Sequence, residues 1–250
     1  MDKENMSDGK AKRSQVVDLP KQPPHTAKIS NMAELGRMSI EELAERKIVY
    51  PGMPNKGVLN TFRELRTQLL KQAGNQNFVV MVTSLTNKAG TSFVATNLGA
   101  VFALDKTKTA LLIDCNLYDP SLENLLDVEP DYGLTDYLAE EKLDINDIIY
   151  ATGIPRLRVV PVGTHTEAGA EYFASARMAG FIENLKTRYP DRYLILDVPP
   201  IGMWAEARIL TELSDFVVLV VPYGKVNEAQ VSAAVETIGE EKLSGIIFNN

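Results

Sequence analysis

The sequence predicts an α/β protein in which helices flank a doubly wound, mostly parallel sheet. Several short segments are rich in Val, Ile and Leu without polar alternation, which is typical of strands buried on both faces of a parallel sheet. Segments with apolar residues at helical spacing lie between them, and this alternation indicates parallel strands joined by helices. The length of 250 residues suits one such domain with an appendage, or two small domains.

The N-terminal part is expected to differ from the rest of the chain. Residues 1–35 are polar, contain Pro and lack periodicity, so we predict a disordered tail. Residues 36–76 are predicted to be a helical segment, because Ser39 and Glu42 have the spacing of a capping box. A second helix is predicted after Pro54 from the apolar face formed by Val58, Leu59, Phe62, Leu65 and Leu69.

Residues 77–250 are predicted to form the α/β domain itself. Its predicted strands are Phe78–Thr83, Thr109–Asp114, Leu157–Val162, Tyr193–Asp197, Phe216–Val221 and Gly245–Phe248. Its predicted helices are Ser92–Leu104, Leu134–Ala139, Ala176–Tyr189, Ala205–Leu213 and Glu228–Glu241.

Composition and charge limit the functions that the chain can have. Its net charge of −7 argues against a nucleic-acid partner. No apolar run approaches the roughly 20 residues that span a bilayer, and the N-terminus lacks the apolar core of a signal peptide. We therefore expect a cytoplasmic protein. The single cysteine, Cys115, lies in an apolar strand and is expected to be a buried structural thiol.

The loop after the first predicted strand has the frame of a phosphate-binding loop. A P-loop reads G-x-x-x-x-G-K-[ST], and here Gly90 and Ser92 stand in register while Thr91 occupies the lysine position. Backbone N–H groups at the start of the following helix favour phosphate. Ser92 is either a Mg²⁺ ligand or a plain helix cap. The expected nucleotide contacts in this loop are Lys88, Ala89, Gly90, Thr91, Ser92 and Phe93.

Polar residues also end other predicted strands, where ligands of open α/β sheets bind. Asp114 and Asp197 end two strands, and with Ser92 they are the expected Mg²⁺ ligands. Asn116 is expected to be a weaker ligand than an aspartate, because an amide carries no charge to a metal. Asn249 follows the last predicted strand and either contacts an adenine edge or is an ordinary polar terminus.

Several ordered motifs over residues 36–250 resemble those of the bacterial tyrosine kinases, the BY-kinases, which are P-loop proteins allied to MinD-type ATPases. The motifs are FRELRTQLL (62–70), TSLTNKAGTSFVATNLG (83–99), LLIDCNLYDPSLENLL (111–126), GLTDYL (133–138), RLRVVPVG (156–163), RMAGFIENLKTRYPDRYLILDVPP (177–200) and FVVLVV (216–221). The resemblance implies binding of ATP or ADP with Mg²⁺ and a homo-oligomeric ring with Arg63 and Arg66 at its interface. It also implies an exopolysaccharide pathway, with recruitment to the inner membrane by a polysaccharide co-polymerase.

The sequence departs from the family pattern at several positions. Thr91 replaces the Walker A lysine, and Lys88 stands at a family glycine position. Asn116 and Tyr118 replace an aspartate and an arginine, and Asn60 replaces a glutamate of the ring motif. The last tyrosine is Tyr223, so the family's C-terminal tyrosine cluster does not appear in these 250 residues.

These departures favour a degenerate member of the family in which Asp114, Asn116 and Asp197 are vestiges of a catalytic site. Such a protein would regulate polysaccharide polymerisation or export without catalysis, or while binding nucleotide weakly, and an active kinase paralogue is a further expected partner. The first alternative is an active tyrosine kinase or ATPase that uses Lys88 or a cation supplied by a partner. The second is a MinD-like positioning ATPase, although Thr86 occupies the place of the lysine that this class requires.

Overall fold

The computed structural model describes residues 36–74, 76–126, 129–164 and 168–249. The predicted disordered tail, residues 1–35, lies outside the described residues. The strands are β1 (Val79–Ser84), β2 (Thr109–Asp114), β3 (Tyr150–Ala151), β4 (Leu157–Val160), β5 (Arg192–Asp197), β6 (Phe216–Pro222) and β7 (Leu243–Asn249). The α-helices are α1 (Ile40–Glu45), α2 (Lys56–Gln72), α3 (Thr91–Ala103), α4 (Leu134–Ala139), α5 (Gly169–Phe173), α6 (Ala176–Arg188), α7 (Ala205–Glu212) and α8 (Glu228–Ile238). Short 3₁₀ helices cover Leu122–Leu125 and Ile145–Ile148.

The strands of the described residues form one sheet in the order β3-β4-β2-β5-β1-β6-β7. Every pairing is parallel except that of β3 with β4. Helices cover both faces, with α2 and α3 on one core and α6, α7 and α8 on the other. Both faces of β1, β2 and β5 are therefore buried, which explains why their sequences are uniformly apolar. The predicted doubly wound α/β class is confirmed.

Some predicted boundaries were wrong, for identifiable reasons. Strand β4 ends at Val160 because Pro161 has no N–H and its carbonyl accepts a hydrogen bond from Leu134 N. Helix α8 ends at Ile238 because Gly239 adopts a φ of 87°, which turns the chain out of the helix before Glu241. Strand β3 and helix α5 have only two and five residues, and the sequence did not predict them.

The N-terminal helical segment packs directly on the sheet domain. Helix α1 begins with the predicted capping box between Ser39 and Glu42. The apolar face of α2 is buried against α3 and β7. Asn97 of α3 accepts a hydrogen bond from Val49 N at 2.7 Å, which ties the connection between α1 and α2 to the domain. Among the described helices, none combines the length and apolar character that crossing a membrane requires.

Candidate nucleotide and cation site

The carboxyl ends of β1, β2 and β5 meet at a cleft with a volume of about 160 Å³. These strands are neighbours in the sheet, so the loops that follow them converge on one edge. The residues that line the cleft are Ser84, Thr86, Asn87, Lys88, Ala89, Gly90, Thr91, Ser92, Phe93, Asn116, Asp119, Val198, Pro199 and Pro200. All the loop residues expected to contact a nucleotide, from Lys88 to Phe93, are thus brought together.

The loop after β1 turns sharply into α3. Gly90 precedes the helix with φ 87° and ψ 28°, a left-handed conformation that glycine adopts at little cost. A Cβ at this position would lie 2.2 Å from Asn249 Nδ2, so a side chain would also collide with β7. Lys88 adopts the left-handed region too, with φ 57°. The loop conformation therefore depends on Gly90.

Asn249 supports this loop from the end of β7. Its side-chain Nδ2 donates a hydrogen bond to Ala89 O at 2.9 Å, and its backbone carbonyl accepts one from Tyr223 N at 2.8 Å. The expected contact with adenine would compete with the bond to Ala89, because both use the Asn249 carboxamide.

The side chains of the loop differ in exposure. Lys88 is exposed and borders the cleft, whereas Thr91, at the first position of α3, is buried. Ser92 and Phe93 are half-buried, and the Phe93 ring packs edge-on against Phe62 with ring centroids 6.1 Å apart. The lysine position of a P-loop is thus filled by a neutral, largely enclosed hydroxyl.

Asp114 is fully buried at the end of β2 and is used by its own loop. Its Oδ1 accepts from Asn116 N, and its Oδ2 accepts from Ser121 N and Leu122 N, each at 3.1 Å. Burial raises the pKa of Asp114 to about 6, against the lowering effect of these backbone hydrogen bonds. The Asp114 carboxylate therefore orders the loop from Cys115 to Leu122 through these backbone hydrogen bonds.

Asp197 is aligned with Asp114 on the neighbouring strand β5 and is also fully buried. Neither of its carboxylate oxygens has a hydrogen-bond partner among the described residues. Burial raises the pKa of Asp197 well above its ordinary value, and the charge of Asp114 adds to this effect. The nearby Ser92 hydroxyl lowers that pKa, although the two groups do not meet hydrogen-bond geometry. Buried acids without partners are rare, so Asp197 fits a site for a cation.

The predicted cation ligands Ser92, Asp114 and Asp197 therefore converge at one edge of the sheet. In the described part of the chain, no three His, Cys, Asp or Glu side chains are close enough to hold a metal by themselves. Mg²⁺ commonly uses one or two carboxylates and keeps several waters, so a sparse donor set of this kind suits it.

The loop after β2 carries features that the sequence analysis did not identify. The Tyr118 ring stacks on Trp204 with centroids 3.5 Å apart and planes 16° apart. Its hydroxyl donates a hydrogen bond to Glu206 Oε1 at 2.7 Å. Burial and Glu206 raise the pKa of Tyr118 to about 12, which keeps the hydroxyl protonated. Cys115 in the same loop is buried as expected, and burial raises the pKa of its thiol well above 9.0.

Arg63 and Arg66, the expected ring-interface residues, lie on α2 away from the cleft. Arg63 is exposed. Arg66 is half-buried and donates from Nη1 to Val101 O of α3 at 2.9 Å, so part of its guanidinium is already engaged within the chain.

Comparison with known proteins identifies the family. The chain is 32% identical over 191 residues to the tyrosine-protein kinase CpsD of Streptococcus agalactiae, a match that covers 75% of this chain and 81% of that protein. The chain belongs to the family of bacterial tyrosine-protein kinases.

Solved structures agree with this family at the level of the fold. The kinase domain of the Escherichia coli tyrosine kinase ETK has a TM-score of 0.71 and 24% sequence identity, covering 92% of this chain and 94% of that chain. The cell division ATPase MinD of Pyrococcus furiosus has a TM-score of 0.57 and 21% identity, covering 69% of this chain and 70% of that chain. No family model matches the chain. The predicted resemblance to bacterial tyrosine kinases and the P-loop fold are thereby confirmed.

Proposed function

We propose that this bacterial tyrosine-kinase relative regulates exopolysaccharide polymerisation or export, binds Mg²⁺-nucleotide weakly and does not transfer phosphate. The observation that carries this proposal is Thr91, which begins α3 where a P-loop has its lysine. A lysine there stabilises the charge that develops during phosphoryl transfer. Losing one electrostatic group of this kind slows a reaction by about 100- to 1000-fold.

Retained nucleotide binding is supported by the shape and polarity of the cleft. Gly90 keeps the left-handed turn before α3, and the N-terminus of that helix faces the cleft through Thr91 and Ser92. A cation would be held by Ser92, Asp114 and Asp197, and when bound it would neutralise phosphate charge. These residues account for binding, and none of them replaces the missing positive charge.

The cellular setting rests on the family. Its members are expected to act on the cytoplasmic side of a membrane-embedded polysaccharide co-polymerase. We propose the same setting here, with that co-polymerase or an active kinase paralogue as the partner that brings the protein to the inner membrane.

Two assays test the proposal together. Calorimetry with ATP and ADP, with and without Mg²⁺, should give weak binding that Mg²⁺ strengthens. Radiolabelled ATP in the presence of the cognate co-polymerase should give no autophosphorylation. Strong Mg²⁺-dependent phosphotyrosine would contradict the proposal.

Thr91→Lys sharpens this test because it returns the missing charge to the first turn of α3. We expect it to tighten ATP binding more than ADP binding, since the restored charge faces the terminal phosphates. Thr67→Lys adds the same charge on the exposed side of α2 and should leave both affinities unchanged.

A second candidate function follows from the position of Lys88. This exposed side chain borders the cleft three residues before Thr91. In an active kinase or ATPase, the Lys88 ammonium group would supply the positive charge that Thr91 lacks. This alternative predicts that Lys88→Ala abolishes turnover while Lys106→Ala, which removes an exposed charge elsewhere, does not. Unchanged turnover in Lys88→Ala would eliminate it.

A further inference from the structure

The two loops that face each other across the cleft are joined by an aromatic contact. The loop after β2 contributes Asn116 and Asp119 to the cleft, and the loop after β5 contributes Val198, Pro199 and Pro200. The Tyr118–Trp204 stack connects these loops, because each ring belongs to one of them. The hydrogen bond from Tyr118 to Glu206 extends the connection into α7. We call Tyr118, Trp204 and Glu206 the clasp.

The clasp fixes the segment that carries Asp119. Asp114 accepts backbone hydrogen bonds from both ends of this loop, at Asn116 and at Ser121. Between these ends, Asn116 Oδ1 accepts a hydrogen bond from Asp119 N at 3.3 Å, and the adjacent Tyr118 is held by the clasp. Asp119 is thus placed at the cleft by contacts on both of its sides.

Asp119 is an exposed carboxylate at the cleft without a hydrogen-bond or ion-pair partner among the described residues. Asp119 lines the same cleft as Val198, the residue that follows Asp197 at the end of β5. Asp197 is fully buried and both of its oxygens lack partners in the described chain. A buried acid without partners is stabilised by protonation or by a cation, and a second carboxylate at the same edge of the sheet favours the cation.

We propose that Asp119 is a carboxylate of the divalent-cation site centred on Asp197, and that the clasp positions it there. Asp119 lies three residues after Asn116 in the same loop, and it would supply to the site the negative charge that Asn116 lacks. Because no three acids are close enough for direct ligation in the described chain, Asp119 would accept hydrogen bonds from waters on the cation. The inference rests on the proposed function in that the cation concerned is the one that accompanies a nucleotide.

Mn²⁺ titration of the nucleotide-free full chain, followed by the electron paramagnetic resonance of free Mn²⁺, tests the site directly. We expect one bound Mn²⁺ and an affinity about ten-fold weaker in Asp119→Asn, which is the usual effect of losing an outer-shell ligand partner. Glu240→Gln removes an exposed charge near the amino end of β7, at the opposite edge of the sheet, and should leave the affinity unchanged. Equal Mn²⁺ affinity in Asp119→Asn and the natural chain, or no Mn²⁺ binding at all, would overturn the proposal.

The role of the clasp needs variants that separate positioning from folding. Tyr118→Ala should weaken Mn²⁺ binding about as much as Asp119→Asn, and the double variant should be no weaker than either single one. Tyr118→Phe keeps the ring stack and should bind Mn²⁺ more tightly than Tyr118→Ala. Trp204 is the only tryptophan, so its fluorescence reports whether the stack has opened. Additive losses in the double variant would overturn the positioning role.

Calorimetry with ADP separates this inference from the proposed function. If Mn²⁺ binds and depends on Asp119 while ADP does not bind, nucleotide binding fails and the cation site stands. If ADP binds while the nucleotide-free chain binds no Mn²⁺, the cation site fails and nucleotide binding stands.

Discussion

Asp197 is a single residue whose burial opposes the stability of the fold. Its side chain is fully enclosed, neither oxygen has a hydrogen-bond partner in the described chain, and Asp114 lies beside it. A buried group of this kind destabilises the native state unless it is protonated or neutralised by a ligand. Asp197 therefore lowers the stability of the ligand-free fold.

Asp197→Asn is expected to stabilise the ligand-free protein by about 1–3 kcal/mol at pH 8, because it removes a buried acid that has no partner. The folded-state pKa of Asp197 is raised, so the destabilisation by the wild-type group grows as pH rises above the ordinary pKa of 3.8 and levels off above the raised pKa. Below the ordinary value of 3.8 both folded and unfolded states are protonated, and the advantage of the variant should vanish.

Thermal unfolding of both proteins between pH 3 and pH 8 measures this effect. A variant that is less stable than the wild type at pH 8 would contradict the prediction, and the same variant should lose affinity for divalent cations.

Substituting alanine for glycine should have opposite effects on stability at two positions. Gly90→Ala should destabilise by about 1–3 kcal/mol, because alanine is strained at φ 87° and its Cβ would meet Asn249. Gly180→Ala in the exposed part of α6 meets nothing within 4 Å and should stabilise by about 0.5–1 kcal/mol. Urea unfolding of both variants checks the pair, and equal effects would show that backbone conformation does not decide them.

At the level of elements, helix α2 is held by one apolar face. Leu59, Phe62, Leu65 and Leu69 are buried, as the predicted pattern required. Leu69→Ala should cost about 2–5 kcal/mol, because Leu69 is fully enclosed and its removal leaves a cavity. The exposed Lys71→Ala on the same helix is the control and should change stability by less than about 0.5 kcal/mol. Guanidinium unfolding distinguishes them, and similar costs would indicate that α2 does not pack as described.

The longer elements could be predicted because periodicity and burial agree within them. The strands β1, β2 and β5 read as apolar runs since both of their faces are covered. Strand β3 could not be predicted, because two residues carry no pattern and their pairing depends on β4. The predicted ends of β4 and α8 were wrong because a single residue, Pro161 or Gly239, ends each element.

The candidate site was predictable only in part, for a related physical reason. The positions of Asp114 and Asp197 follow from strand ends, and that of Ser92 follows from the start of the helix after β1. Tertiary partners do not appear in a local pattern, so the bond from Asn249 to Ala89 and the clasp were missed. Asp119 had one local signal, its spacing of three residues from Asn116, which allows the turn that the structure contains.

Across the whole molecule, the sheet separates two large apolar cores. One contains α2 and α3, the other contains α6, α7 and α8, and alternate residues of the same strands enter both. Because both cores use side chains of the same strands, unfolding of one core would expose the strands and disrupt the other core. The described chain should therefore unfold as one cooperative unit.

The measurement compares two signals during urea unfolding. Trp204 fluorescence reports the loop after β5 beside one core, and far-UV circular dichroism reports all helices, including α2 on the other core. Coincident midpoints are expected. A lower midpoint for the circular dichroism than for the fluorescence would reveal that the helical segment of residues 36–76 separates before the sheet unfolds.

The buried state of Cys115 has a practical consequence. Its thiol is enclosed and stays protonated at ordinary pH, so it should not react with maleimide probes while the protein is folded. Because the chain has no other cysteine, a cysteine introduced at an exposed position would be the only one to take a dye. The natural sequence is therefore already suited to single-site labelling, and assembly with a partner can be followed by energy transfer without first removing native thiols.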